Sequence, residues 1–520
     1  MLARCLVAAV AAVGVLAPAR ADVKLHPLFT DHMVIQRDRP VPVWGTASAG
    51  EKVTVACSAA DGATVTAEAD ASGKWRATLP PLKAGTGFTL TVKGANTIEL
   101  KDVLVGDVWL CSGQSNMEWK LSGLNRDDQG QQVAAKAANP LIRLYDVPNR
   151  PAATPQSTVA VQGSSGKWLE CTPETALNFS AVGYFFGRDI AAAEKVPVGL
   201  ISADWGGTPA EAWTSIGGLA AEPALLNHVE RFVGQVKSAT DPAAEAKYQE
   251  ALAKYKKVAA DAKSDGKKGP RNGPAKPGIN QNTPTVLHNG MIAPIQPFAI
   301  KGAIWYQGES NAGAAKEYRT LFPAMITDWR KQWGYDFPFL AVQLAPFSNG
   351  NSAGVSYAEL RDAQVYATKK LPKVGLAVIT DAGEENDIHP QRKEPAGQRL
   401  ALAARAIAYG ENVVYSGPQY KAMNADGGKA VLTFDAVGGG LVAKGETLNG
   451  FTVCGEDKVF HPAKAEIDGN TVVVTCPEVP EPKHVRFGWV NFAKPELNFF
   501  NKDGLPAVPF RTDDFPLTTH

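Results

Sequence analysis

Cysteine is scarce in this chain, six in 520 residues. Cys5 lies in the apolar stretch at the start. The others, Cys57, Cys111, Cys171, Cys454 and Cys476, are far apart and odd in number, with no C-x-x-C pair. Such spacing suggests neither a zinc site nor a disulfide framework, so buried free thiols are expected. Net charge is also scarce: 53 basic residues face 52 acidic ones, for a formal charge of +1. Nucleic acid and anionic membrane therefore have no electrostatic claim as partners. Past residue 21 there is no long uncharged apolar run, so no membrane insertion is expected. The lysine- and glycine-rich stretch KSDGKKGPRNGPAKPG is not a phosphate loop, because no strand precedes it and no helix follows. Function has to come from local sites.

What is present begins with MLARCLVAAVAAVGVLAPARA. Arg4, an apolar centre and a closing Ala-Arg-Ala have the layout of a secretory leader over residues 1–21. The protein is expected to be exported, to the periplasm. Residues 22–100 read as a β-sandwich module, with short runs such as VPVWG, KVTVACSA and KWRATLP between Gly, Asp and Pro turns. Residues 413–520 repeat that style in AVLTFDAV, GFTVCG, TVVVTCP and HVRFGWV.

Between them, residues 101–412 change character. Apolar runs at 103–111, 197–203, 300–306, 338–344 and 374–380 alternate with helical patterns such as GYFFGRDIAAAEK and PAGQRLALAARAIAYG. That alternation implies an α/β fold, a parallel sheet covered by helices on both faces. Residues of about 220–285 stand out as a helical and linker insertion. In such sheets the site lies beyond the carboxyl ends of the strands.

The residues found there are consistent with that rule. Gly113-Gln114-Ser115-Asn116-Met117 follows the first run and Asp204-Trp205-Gly206-Gly207-Thr208-Pro209 the second. Gln307-Gly308-Glu309-Ser310-Asn311 follows the third, and DAGEENDIHPQ, with Asp381, Glu384, Asp387 and His389, follows the last. This inventory meets the needs of acyl transfer. A serine hydroxyl needs a base to take its proton, usually histidine. A carboxylate can fix the histidine tautomer. Preorganised donors for the oxyanion are worth roughly 3 kcal/mol each. Candidate donors are the Ser115 N–H, a glycine N–H from Gly206 or Gly207, and an amide from Gln307 or Asn311. Trp205 and Trp213 flank the second block, where a flat ring could stack on a sugar. His288 is a candidate to border the cleft, and Glu309 reads as a structural carboxylate in its loop.

GQSNM, GGTPAEAW, WYQGESN and NDIHP, in this order, resemble the blocks of the SGNH hydrolase superfamily, and within it the sialate O-acetylesterase-like carbohydrate esterases. The resemblance covers almost the whole chain after the leader. It implies a flavodoxin-like three-layer sheet with added β-sandwich modules. It also implies an acetyl-enzyme mechanism with Ser115 as nucleophile and His389 as base, without metal or organic cofactor. The superfamily's usual acid position, three residues before the histidine, holds Asn386 here. Asp387 is taken as the third catalytic residue, ahead of Glu384 and Asp381. Ser115, Gly207 and Gln307 are the expected oxyanion donors, with Trp205 and Asn311 towards substrate. The implied substrate is an acetylated oligo- or polysaccharide, either plant hemicellulose such as xyloglucan or xylan, or 9-O-acetylated sialic acid. A non-catalytic glycan-binding protein on an esterase scaffold is the alternative. A lipase is disfavoured because G-x-S-x-G is missing. Oligomeric state is not legible.

Overall fold

The computed structural model describes residues 22–126, 129–270, 272–348 and 350–520; the expected leader over residues 1–21 lies outside them. The central sheet contains β1 (Thr97–Gly113), β2 (Asn139–Asp146), β3 (Trp168–Cys171), β4 (Val198–Asp204), β5 (Gly302–Tyr306), β6 (Phe339–Val342) and β7 (Val374–Ala377). Their order is β3-β2-β4-β1-β5-β6-β7. All pairings are parallel except that of β3, which runs antiparallel to β2 at one edge. The five apolar runs supply β1, β4, β5, β6 and β7. Buried parallel strands have no polar face to advertise, so continuous apolar runs mark them well.

The sheet is covered on both faces. Side chains of β1 alternate between the two cores, Val108 and Leu110 entering one and Trp109 and Cys111 the other. On the first side, α3 (Ala315–Trp333) and α4 (Ser356–Lys370) pack against each other. On the second, α2 (Ala181–Glu194) and α5 (Glu394–Ile407) do the same. Ser180 starts α2 by accepting the Gly183 N–H at 3.0 Å, which satisfies one of the donors a helix start leaves free. The helix α1 (Ser115–Glu118) is a single turn at the end of β1.

The N-terminal strands form two layers. One sheet joins Lys24–Leu25, Val41–Thr46 and Lys74–Leu79. The other joins Lys52–Cys57, Thr64–Glu68 and Gly85–Lys93, and it continues into the central sheet through the first half of β1. The expected module boundary at residue 100 thus falls inside one unbroken 17-residue strand. The C-terminal strands build further antiparallel sheets around a separate apolar core that includes Leu432, Phe451, Val474, Phe487 and Phe499. In the insertion, Leu226–Ser238 and Pro242–Ser264 are helical. The second of these buries no residue, as its Ala/Lys/Glu composition implies. All five described cysteines are buried and free. Among the described residues no helix is long and apolar enough to cross a membrane.

Candidate active site

β1 ends at Gly113, whose φ of +139° is a backbone conformation that a Cβ disfavours. The β1 and β5 backbones approach so closely here that a Cβ on Gly113 would lie 2.2 Å from the Tyr306 carbonyl oxygen. That carbonyl accepts the Gln114 N–H at 3.0 Å. The chain turns sharply, and Ser115 begins α1 at the carboxyl edge of the sheet, half-buried. His389 Nε2 lies 2.9 Å from Ser115 Oγ, although 274 residues separate them.

The neighbours of Ser115 tie it to the other three blocks. Glu118 Oε2 accepts the Gly206 N–H at 2.7 Å, which holds the second block against the turn at Ser115. A Cβ on Gly206 would lie 3.2 Å from Ser115 Cβ, so the glycine allows that approach. Gln114 is buried, and its Oε1 lies 3.3 Å from the Ser310 N–H of the third block. The fully buried Asn116 donates through Nδ2 to Ile388 O at 3.0 Å and to Glu309 Oε1, reaching the fourth block and the third. These hydrogen bonds between blocks set one arrangement of the loops.

The histidine is held by contacts that differ from the expected triad. Asp387 Oδ1 accepts the His389 backbone N–H at 2.8 Å but lies 4.0 Å from its Nδ1. The carboxylate therefore shapes the loop and makes no hydrogen bond to the ring, which corrects the role expected for it. The other two carboxylates are engaged elsewhere. Asp381 pairs with Arg399 through two bonds of 2.6 and 2.8 Å, while Glu384 binds Arg126 and the Gln391 N–H. The ring itself stacks on Trp119, with centroids 4.9 Å apart and planes 26° apart. Burial lowers the His389 pKa below the ordinary value; the charge of Lys393 adds to this and Asp387 opposes it. If Asp387 acts only through the loop, Asp387→Asn will lower kcat by about tenfold or less. An acid that orients the ring directly is worth about 10⁴-fold. Steady-state kinetics on an aryl acetate separates the two.

The expected amide donors are placed otherwise than the sequence suggested. Gln307 is fully buried; its Nε2 donates to Asn311 Oδ1 at 2.7 Å and Thr208 O at 3.3 Å, and its Oε1 accepts from the Tyr318 hydroxyl at 3.0 Å. Both amide hydrogens are used, so Gln307 does not offer one to an oxyanion. Asn311 is likewise buried: Oδ1 accepts the Ala210 N–H at 2.9 Å, and Nδ2 donates to Glu211 Oε2 at 3.0 Å. The two amides lock the second and third blocks together, and Asn311 does not reach towards substrate. Gly207 is exposed, with φ of +72°. Trp205 is half-buried against the core, and Trp213 is wholly internal, edge-on to Trp305. His288 is buried, with Nε2 3.1 Å from the Gln296 amide nitrogen, and so does not border the cleft. Glu309 accepts from Asn116 through Oε1, and its raised pKa is due first to burial.

Trp119, Glu118 and Lys393 are the residues that sequence reasoning missed. Trp119 and Glu118 sit within four residues of the serine, but an aromatic or a carboxylate in a turn carries no pairing signal. Lys393 is a lone lysine at the start of a helix, a setting that carries no signal of burial, yet only 1% of it is exposed.

The comparisons with known proteins agree with one another. The family model described as carbohydrate esterase, sialic acid-specific acetylesterase, matches residues 282–405. The sialate O-acetylesterase of Rattus norvegicus is 32% identical over 424 residues, 75% of this chain and 74% of the relative. That of Homo sapiens is 31% identical over 423 residues, 75% of this chain and 72% of the relative. Among solved structures, a carbohydrate acetylesterase from Xanthomonas citri is 39% identical, with a TM-score of 0.79 over 95% of this chain and 100% of that one. The chain belongs to the sialate O-acetylesterase family of carbohydrate esterases.

Proposed function

We propose that this protein is a serine esterase that removes O-acetyl groups from neutral plant-type oligosaccharides, such as those of xyloglucan or xylan, through an acetyl-enzyme. The observation that carries the chemistry is the 2.9 Å contact between Ser115 Oγ and His389 Nε2 at the carboxyl edge of the sheet. His389 takes the hydroxyl proton as Oγ adds to the acetyl carbonyl. The carbonyl oxygen gains charge and is received by the backbone N–H groups of Ser115 and Gly207. Gly206 is unsuited to that task because its N–H is given to Glu118. Collapse breaks the ester bond, and His389 returns the proton to the departing sugar oxygen. Water then enters by the same route and acetate leaves.

A neutral glycan is favoured over sialic acid because two of the three arginines around the histidine loop are already paired with carboxylates. Arg399 pairs with Asp381, Arg126 with Glu384, and Arg392 donates to Asp381 O at 2.7 Å. A sialate carboxylate would have to compete with these partners. The leader expected over residues 1–21 suits a protein that meets such glycans in the periplasm. Acetate release from acetylated xyloglucan oligosaccharides and from 9-O-acetylated sialic acid, measured side by side, tests the reading. Faster release from the oligosaccharides is expected. Preference for the sialic acid would overturn the substrate class, and inertness towards both would overturn the activity.

A further inference from the structure

Behind the serine lies a buried lysine that the mechanism above does not use. Lys393 immediately precedes α5, four residues after His389, and 1% of it is exposed. Its Nζ donates to Asn116 Oδ1 and lies 5.8 Å and 5.7 Å from the ring centres of Trp119 and Tyr306. Among the described residues it forms no ion pair. A buried ammonium with no carboxylate in hydrogen-bond contact is costly, which raises the question of its purpose.

The geometry around Asn116 indicates the purpose. An amide oxygen only accepts and an amide nitrogen only donates. With Lys393 on the oxygen, the nitrogen must face Ile388 O, at 3.0 Å, and Glu309 Oε1. Asn116 follows the nucleophile in the chain, and Ile388 precedes the base. Lys393 therefore fixes the orientation of a side chain that ties the serine turn to the backbone of the histidine loop. Its charge also lies over the ring of Trp119, which stacks on His389.

We propose that Lys393 is a positioning residue for acetyl transfer: it locks Asn116 between the serine turn and the histidine loop, and it sets a positive charge against Trp119, the stacking partner of His389. This rests on the serine–histidine reading of the site. The charged groups that face Lys393 are Glu309, after β5, and Asp387 and Glu384, in the histidine loop; all three favour its protonated form. Burial outweighs them and lowers the ammonium to about 7, while the His389 ring is held below its ordinary value. A cation near the imidazole opposes its protonation, and removing that cation raises the histidine pKa.

The test is the pH profile of kcat/KM. Lys393→Gln keeps an amide donor for Asn116 and removes the charge. The acidic limb should rise by about 0.5–1 unit, the size expected of one partly screened charge at this range. At pH values below the limb this is about a three- to tenfold loss, with little change on the alkaline plateau. Lys393→Met removes the hydrogen bond as well and should lower kcat at every pH. Lys393→Arg keeps the charge and should leave the limb in place. A folded Lys393→Gln whose limb coincides with the wild type overturns the proposal. If that variant does not fold, Lys393→Arg decides: a limb that rises despite the retained charge overturns it. Failure of the underlying reading looks different, because Ser115→Ala would then still turn over substrate.

Discussion

Ser115→Ala abolishes acetate release, lowering kcat by about 10⁴-fold or more, while the protein folds and melts as before. The size follows from the loss of the atom that carries the acetyl group in the proposed mechanism; removing a nucleophile costs as much as removing the whole catalytic set, and what remains comes from binding and oxyanion donors. The unchanged fold follows from local contacts. Ser115 Oγ has one hydrogen-bond partner, His389, and its loss costs the fold about 1 kcal/mol. The turn is held instead by Gln114, Asn116 and Glu118, which the substitution leaves in place. Acetate release from an aryl acetate and a thermal melt on the same sample are sufficient. Unchanged turnover would remove Ser115 from the mechanism.

The second large effect belongs to Gly113, two residues earlier. Gly113→Ala puts a Cβ 2.2 Å from the Tyr306 carbonyl oxygen, in a backbone conformation with φ of +139°. Neither neighbour yields easily, because the clash is with the backbone of a central strand. To relieve it, β1 and β5 must separate, which breaks the Gln114-to-Tyr306 hydrogen bond of 3.0 Å. Strain and overpacking together should destabilise the protein by about 3–5 kcal/mol. Activity should fall as well, since the serine rides on the turn that moves. Urea unfolding and aryl acetate kinetics read both effects. Wild-type values in each would mean that the two strands have slack the close approach does not suggest.

The parts of this site that were legible in the sequence are those set by strand ends. Each polar block follows a buried apolar run, and the rule for open α/β sheets places such blocks on one edge. Strands β2 and β3 escaped notice because Asn139–Asp146 and Trp168–Cys171 mix charged residues into short runs at the margin of the sheet. Within the blocks, residue type identified candidates but not partners. Gln307 and Asn311 have the right amides, yet their hydrogen bonds go to each other and to neighbouring loops. Asp387 stands at a suitable spacing, but an acidic residue two positions before a histidine can bond its backbone as readily as its ring, and here it does so. Trp119 and Lys393 act through stacking and burial, which depend on loops brought together from distant parts of the chain.

The unbroken β1 strand bears on how such a protein can be diversified. Modules joined by a linker can be exchanged as cassettes, each keeping its own backbone pairing. Here Gly85–Lys93 pairs with the first half, and Val34–Gln36 with the middle, of the strand whose last residue lies just before the turn at Ser115. Removing the N-terminal layer would leave the first half of that strand without its neighbours, in the strand that leads to Ser115. The sandwich is thus part of the esterase framework, and a new specificity is more readily grafted onto the loops at the opposite, carboxyl edge.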